Sequence, residues 1–241
     1  MKILTDIHTH TVASTHAYST IRENAFAAAE KGLELIAKTD HSISTPDAPH
    51  IFHFENLKAL PSNIGGVKVL KGVECSVLNN KGDIDLPERL LKRMEIVIVS
   101  IHSVVYKQKN KADHTKTWLS VMDNPYVDIL GHTGRNGFNF DHDAVAKKAK
   151  EKDVMIEVNR YTLTKENQKE VCRSIILACK KHGTKICLGS DAHYCDSVGD
   201  FDSAIALLKE CGFPEELIIN RDAKTLMEHL KNKKPYLEFN F

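Results

Sequence analysis

The chain has 241 residues, 42% hydrophobic and 27% charged, with a formal net charge of +1. That is the make-up of one folded α/β domain with a substantial core, with no net field to steer it to nucleic acid or a membrane and no basic stripe of the kind nucleic-acid readers carry. No apolar run is long enough to span a bilayer, and the start, Met1-Lys2-Ile3-Leu4-Thr5-Asp6, meets an Asp where a signal peptide would continue its apolar core, so a cytoplasmic protein is expected.

In chain order, Ile3, Leu4 and Thr5 open a strand that leads into Asp6-Ile7-His8-Thr9-His10. Residues 11–18 are small and polar, carry His16 and read as a loop. Ser19 is placed to cap a helix over 20–31, with alanines and Phe26 on its inner face, and Gly32 ends it. A second strand spans 33–39 and delivers Asp40-His41. A long loop with His50 and His53 follows, then a short helix to about residue 60. The third strand, 67–73, ends at Glu74.

Residues 77–85 read as a hairpin turning at Asn80-Lys81-Gly82. A short helix over 87–93 precedes the strongly apolar fourth strand, 95–101, which ends at His102. A helix over 112–122 leads to the fifth strand, 126–130, and Gly131-His132. Asp141 caps a helix over 142–152. The sixth strand, 154–158, ends at Asn159. A helix over 166–182 with Gly183 after it leads to the seventh strand, 185–188, and then Gly189-Ser190-Asp191-Ala192-His193. Helices over 201–210 and 223–230 finish the chain; residues 217–220 have no assigned place.

Seven alternations of strand and helix mark parallel β/α units in a single domain, residues 1–241. The polar residues choose between a closed barrel and an open sheet. Residues two apart on a strand point the same way, so His8 and His10 aim at one point. His41, Glu74, His102, His132, and Asp191 with His193 all follow the carboxyl ends of other strands. Those ends converge only at the mouth of a barrel, here of seven units.

Thirteen histidines are present, and placement separates them. With His16, the mouth set is His8, His10, His16, His41, Glu74, His102, His132, Asp191 and His193. Seven imidazoles and two carboxylates exceed what one ion takes, so two or three ions are expected, with zinc the best match and manganese or iron as alternatives. His114, His142, His182 and His229 read as solvated. His50 and His53 lie in the loop over the mouth, within reach of substrate. Arg135 and Arg160 follow the fifth and sixth strands and are placed to fork a phosphate. Asp6 and Asp40 flank ligands and are placed to orient imidazoles. Lys38, inside the second strand, has no assigned role. The six cysteines are scattered, without a Cys-x-x-Cys pair, and read as free, mostly buried thiols.

His8-Thr9-His10, Thr39-Asp40-His41, Gly72-Val73-Glu74, His102, Gly131-His132 and Gly189-Ser190-Asp191-Ala192-His193 together resemble the motifs of the PHP (polymerase and histidinol phosphatase) superfamily over nearly the whole chain. Residues 11–19 and Asp47-Ala48-Pro49-His50 resemble its YcdX-type branch. The resemblance implies a distorted (β/α)7 barrel with three Zn2+ ions (Mn2+ or Fe2+ as alternatives), and a phosphatase that hydrolyses small phosphomonoesters with a metal-activated hydroxide. Carried over by position, one ion takes His8, His10, Glu74 and Asp191. A second takes His16, His41 and His193. A third takes Glu74, His102 and His132, so Glu74 bridges two ions. Glu74 and Asp191 then act in catalysis through the metals they hold, and Arg135, Arg160 and His50 are the candidate substrate contacts. The chain departs from the family pattern in one loop, where Thr133-Gly134-Arg135-Asn136-Gly137 replaces a Pro-containing turn after His132. The expected partner is a small phosphorylated substrate, with neither membrane nor nucleic acid. A histidinol-phosphate phosphatase, a PHP-type nuclease and a non-catalytic metal-storage protein are the competing readings.

Overall fold

Parallel strands buried on both faces must close their hydrogen bonds with one another, and seven of them do so here, each bonded to the next parallel strand along the chain. The computed structural model describes residues 1–107, 109–135 and 137–239. Asn136 of the departing loop and the last two residues of the domain span lie outside them. The strands are β1 (Thr5–Thr9), β2 (Leu35–Lys38), β3 (Asn63–Ile64), β4 (Val67–Ser76), β5 (Ile96–Ser100), β6 (Ile129–Leu130), β7 (Met155–Asn159) and β8 (Ile186–Gly189). The helices are α1 (Ile21–Glu30), α2 (Phe52–Glu55), α3 (Glu88–Leu91), α4 (Lys111–Val121), α5 (His142–Lys152), α6 (Arg160–Leu163), α7 (Lys169–His182), α8 (Asp202–Glu210) and α9 (Ala223–Lys233). β3 is a short antiparallel addition to β4 that sequence reading missed. No described helix is long and apolar enough to cross a membrane.

The architecture is a distorted (β/α)7 barrel. Inside it, Ile7, Leu35, Ala37, Leu70, Ile96, Ile98, Ile129, Met155 and Cys187 form one apolar plug. A second, larger core lies between the sheet and its helices. The six cysteines are free, and all but Cys195 are buried.

Distortion is concentrated at the seam between the first and last strands. Near the mouth the two pair directly, with His10 N donating to Ala192 O (2.9 Å) and Asp191 N to His8 O (2.9 Å). Lower down, Asn220 fills the gap. Its Oδ1 accepts from Leu188 N (2.9 Å), and its Nδ2 donates to Leu188 O (2.7 Å) and Thr5 O (2.9 Å). One side-chain amide thus stands in for missing strand pairing, which gives the unplaced stretch 217–220 its role.

Several local expectations change. Thr20, not Ser19, caps α1, in a reciprocal capping box with Glu23. Ser19 accepts from Cys195 N instead. Asn24, Ala25 and Ala28 form the buried face of α1, so Phe26 falls on its flank, 41% exposed. Asp141 caps α5 as expected. The helix expected over 166–182 begins as a 3-10 turn and becomes α7, and α6 precedes it because Asn159 Oδ1 accepts from Thr162 N (2.8 Å).

The bottom of the barrel is closed by the C-terminal segment. Lys234 is fully buried and pairs with Asp128, while Lys233 Nζ donates to Val127 O (2.7 Å) and Asp153 O (2.8 Å). His229 on α9 is buried there, not solvated, 3.2 Å from Lys185 Nζ. Burial pushes it down to about 4, with Lys185 and Lys233 adding to the effect against Asp153. The folded protein therefore resists protonating this ring, whereas the unfolded chain takes the proton near pH 6.5. Stability from this group is full above pH 6.5 and is lost as pH falls toward 4. A His229→Gln variant is expected to lose less stability than the parent between pH 6.5 and 4.5, by on the order of 2 kcal/mol. Urea unfolding at both pH values measures it, and parallel losses in the two proteins would contradict it.

Candidate metal centre

The strand ends supply the mouth, and local irregularities aim its side chains. Ile7 belongs to the interior plug, so strict alternation would turn His8 outward. The β1–β2 register shifts between Asp6 and Thr9, and this irregularity brings His8 and His10 inward as well. His41 follows β2 and bridges to Glu74, which lies within β4 and not at its end. His132 (φ 29°) and Asp191 (φ 56°) take left-handed backbone after β6 and β8, a strained state for residues with a Cβ.

The nine residues read from the sequence converge, and Glu74 sits among them with no exposed surface. Glu74 Oε1 lies 3.4 Å from His8 Nε2, 3.3 Å from His102 Nε2 and 3.0 Å from His132 Nε2. Its Oε2 lies 3.6 Å from His10 Nε2 and 2.8 Å from His41 Nδ1. Asp191 Oδ1 lies 3.6 Å from His8 Nε2 and 3.1 Å from His10 Nε2. His16 Nε2 is 2.7 Å from His193 Nε2 at the outer, half-exposed edge, and Asp47 pairs with the other nitrogen of His16.

These contacts do not satisfy the ring nitrogens. His8 Nε2, both nitrogens of His10, His41 Nδ1 and Glu74 Oε2 are buried and have no hydrogen-bond partner among the described residues. Orphaned buried polar atoms are costly, and here they point at one another across gaps of an ion's width. Three groups have donor atoms mutually close enough to share a cation: His8, His10 and Asp191; His10, His41 and His193; and His41, Glu74 and His102. Imidazole and carboxylate donors suit zinc and its divalent neighbours.

Electrostatics divide the rings: against burial, Glu157 and Glu74 hold His8 well above the usual imidazole range, and Glu74 pulls His41 up. Burial pushes His10 down to about 3, with His41 adding to it, and pushes His132 down to about 4, with Arg135 adding to it. Both rings are thus neutral near pH 7, the form that ligates metal. Burial alone would raise Glu74 and Asp191. His8 and other imidazoles, with Arg135 beside Asp191, outweigh it and hold both carboxyls well below the usual carboxylate range.

Other candidates are sorted by geometry. Arg135 donates to Asp191 Oδ2 (2.7 Å) and reaches the mouth. Arg160 also lines the cleft, paired with Asp200. His50 packs edge-on against Phe52 and is not among the described residues that line the cleft. His53 sits beside Lys38 and Asp40, outside the barrel wall. Asp6 and Asp40 hold backbone and hydroxyl groups, not ligating imidazoles. Asp6 accepts from Ser190 N (3.1 Å) and Gly199 N (2.8 Å). Asp40 accepts from Thr11 N (2.7 Å) and Ser14 Oγ (2.9 Å), and so anchors the loop that carries His16. Lys38 is the buried counter-ion of Asp40 (2.8 Å). His114 is also buried, accepting from Lys109 N (2.9 Å), whereas His142 and His182 bind Ser174 and Asp143 at the surface.

Sequence reading missed Glu157. It lies in β7, 4% exposed, and its carboxylate accepts from His8 Nδ1 (2.7 Å) and His132 N (2.6 Å). The available signal was a charged residue inside an otherwise apolar strand, Met-Ile-Glu-Val-Asn.

Above the centre opens a cleft of about 1000 Å³. Its walls include Tyr18, Phe138, Tyr161 and Tyr194, with Arg135, Arg160 and Lys165. Fold and site together define a barrel whose histidine-rich mouth forms a candidate metal centre. Residues 6–240 match the PHP domain family, and the chain belongs to it. It is 41% identical over 241 residues to a protein of Clostridium botulinum (strain Langeland) called a probable phosphatase, covering 100% of this chain and 99% of that one. It is 46% identical over 235 residues to a probable phosphatase of Clostridium novyi (strain NT), covering 97% and 96%. Among solved structures, a histidinol phosphate phosphatase from Lactococcus lactis, complexed with zinc, L-histidinol and phosphate, shares the fold at a TM-score of 0.65 and 18% identity, covering 89% of this chain and 95% of that one.

Proposed function

We propose that the protein is a metal-dependent phosphatase that hydrolyses small phosphomonoesters at a site holding three divalent cations, zinc by preference. The observation that carries this reading is the set of orphaned imidazole and carboxylate atoms around Glu74, on the floor of a cleft that also holds Arg135. The full-length likeness to proteins called probable phosphatases supports it.

His8, His10, Glu74 and Asp191 would hold one cation, His16, His41 and His193 a second, and Glu74, His102 and His132 a third. Of these groupings the outer one is the least enclosed, since His16 is half-exposed, and His10 also has a donor atom within reach of the pair His41 and His193. Bound cations supply Lewis-acid polarisation of phosphoryl oxygens and acidify a water. The chain's own residues orient the substrate. Arg135, fixed by Asp191 Oδ2, presents its remaining N–H groups to a phosphoryl oxygen. Tyr161 stands beneath the Arg135 guanidinium (5.7 Å to the ring centroid) and limits where it can swing. Tyr18 and Tyr194 leave room at the rim for an organic leaving group.

The zinc-loaded protein is expected to release phosphate from p-nitrophenyl phosphate and from at least one member of a panel of small phosphomonoesters, histidinol phosphate included. Chelation should abolish turnover, and added zinc should restore it. A protein that holds its metals and hydrolyses no member of the panel, nor a short single-stranded DNA, would be a binding protein and not an enzyme.

A further inference from the structure

The carboxylate of Glu157 makes two short hydrogen bonds and no ion pair with lysine or arginine among the described residues. A buried carboxylate so placed is costly unless its hydrogen bonds fix something. Its two donors belong to different parts of the centre. His8 shares a ligand group with His10 and Asp191. His132 faces Glu74 and His102, at 3.0 and 3.3 Å. We infer that Glu157 is a positioning residue that sets two cation sites at once, through the side chain of His8 and the backbone of His132.

The geometry is specific on both arms. Holding His8 by Nδ1–H leaves its Nε2 facing Glu74 and Asp191. A carboxylate behind a metal-ligating imidazole fixes its tautomer and its ring plane. On the other arm, the His132 amide is held at the residue whose left-handed backbone turns the ring into the mouth. Gly189 keeps the space clear: a Cβ there would stand 2.0 Å from Glu157 Oε1 and 2.7 Å from His8 Cβ. Glu157 therefore links from below the two groups that Glu74 links from the cleft side. The outer histidines, His16, His41 and His193, make no hydrogen bond to it among the described residues.

This inference rests on reading the mouth as a metal centre, but its test does not use turnover. Glu157→Gln keeps the shape and leaves one carbonyl oxygen, so one of the two donors must face an NH2 group. Zinc content is measured by mass spectrometry after dialysis against buffered zinc, and affinities by chelator competition. The expected result is selective: two of three zinc ions bind about 10–100-fold more weakly, while the third stays within about threefold of the parent. Gly189→Ala crowds the same carboxylate without removing its charge and also presses on His8 Cβ, so it should weaken the His8 site at least as much. In the double variant the losses at that site should be less than additive, because both changes break the Glu157–His8 hydrogen bond. Unchanged stoichiometry and affinity in both variants would overturn the inference. So would equal weakening of all three sites, which is what a purely structural role produces. A parent protein that binds three zinc ions and hydrolyses nothing would remove the phosphatase reading and leave this one intact.

Discussion

Replacing Glu74 with glutamine is expected to empty two cation sites at once and to lower phosphatase activity by more than about 100-fold. The size follows from position. Loss of an outer partner of a ligand costs roughly 10–100-fold, and a shared carboxylate should cost more. Glu74 Oε1 faces His8, His102 and His132, and Oε2 faces His10 and His41, so among the described residues no other carboxylate reaches as many of the proposed ligand rings. Ser100 Oγ donates to Oε1 at 2.6 Å and would keep donating to the carbonyl of a glutamine, so the variant should keep its fold. Gly131 packs where a Cβ would meet that Ser100 hydroxyl at 2.2 Å, which shows how little slack surrounds the pair. His16→Ala is the comparison. His16 lies at the half-exposed edge and should cost only the outer cation. Metal analysis of both variants decides the matter; equal losses would mean that Glu74 does not bridge.

Asn220→Ala is expected to produce the largest stability loss outside the core. It leaves Leu188 N, Leu188 O and Thr5 O without the partners they have now. Each buried group left unsatisfied costs about 1–3 kcal/mol, so a loss of about 4 kcal/mol is expected in urea unfolding. Metal affinity should fall with it, because the same seam sets Asp191 and His193 against His8 and His10. A loss below about 1 kcal/mol would show that water replaces the amide and that the seam is held elsewhere.

What could be read from sequence followed strong local rules. The cap of α5 at Asp141 and the run Ile-Val-Ile-Val of β5 are local patterns, and the structure keeps them. The convergence of the candidate ligands was legible because six of the seven units repeat one placement, at or near the strand end. What was not legible depends on partners distant in sequence. Glu157 looks like one acid in a strand until His8, 149 residues away, is folded against it. Asn220 acts only where β1 and β8 fail to meet. His114 and His229 read as surface residues because their helices are polar, and tertiary packing buries them. Phe26 was misplaced because the inner face of α1 is set by Asn24, whose Nδ2 donates to His10 O (2.8 Å), and not by its largest apolar side chain.

The seam has one more consequence. β1 and β8 touch directly only near the mouth, and the residues flanking that contact are proposed ligands from opposite ends of the chain. A cation shared by His8, His10 and Asp191 would act as a reversible clasp on a loop of about 180 residues, comparable with a disulfide in the chain entropy it removes from the unfolded state, about 5 kcal/mol. Unlike a disulfide, this clasp would open when divalent cations are scarce. The lifetime of the folded protein would then follow the supply of the ion it works with.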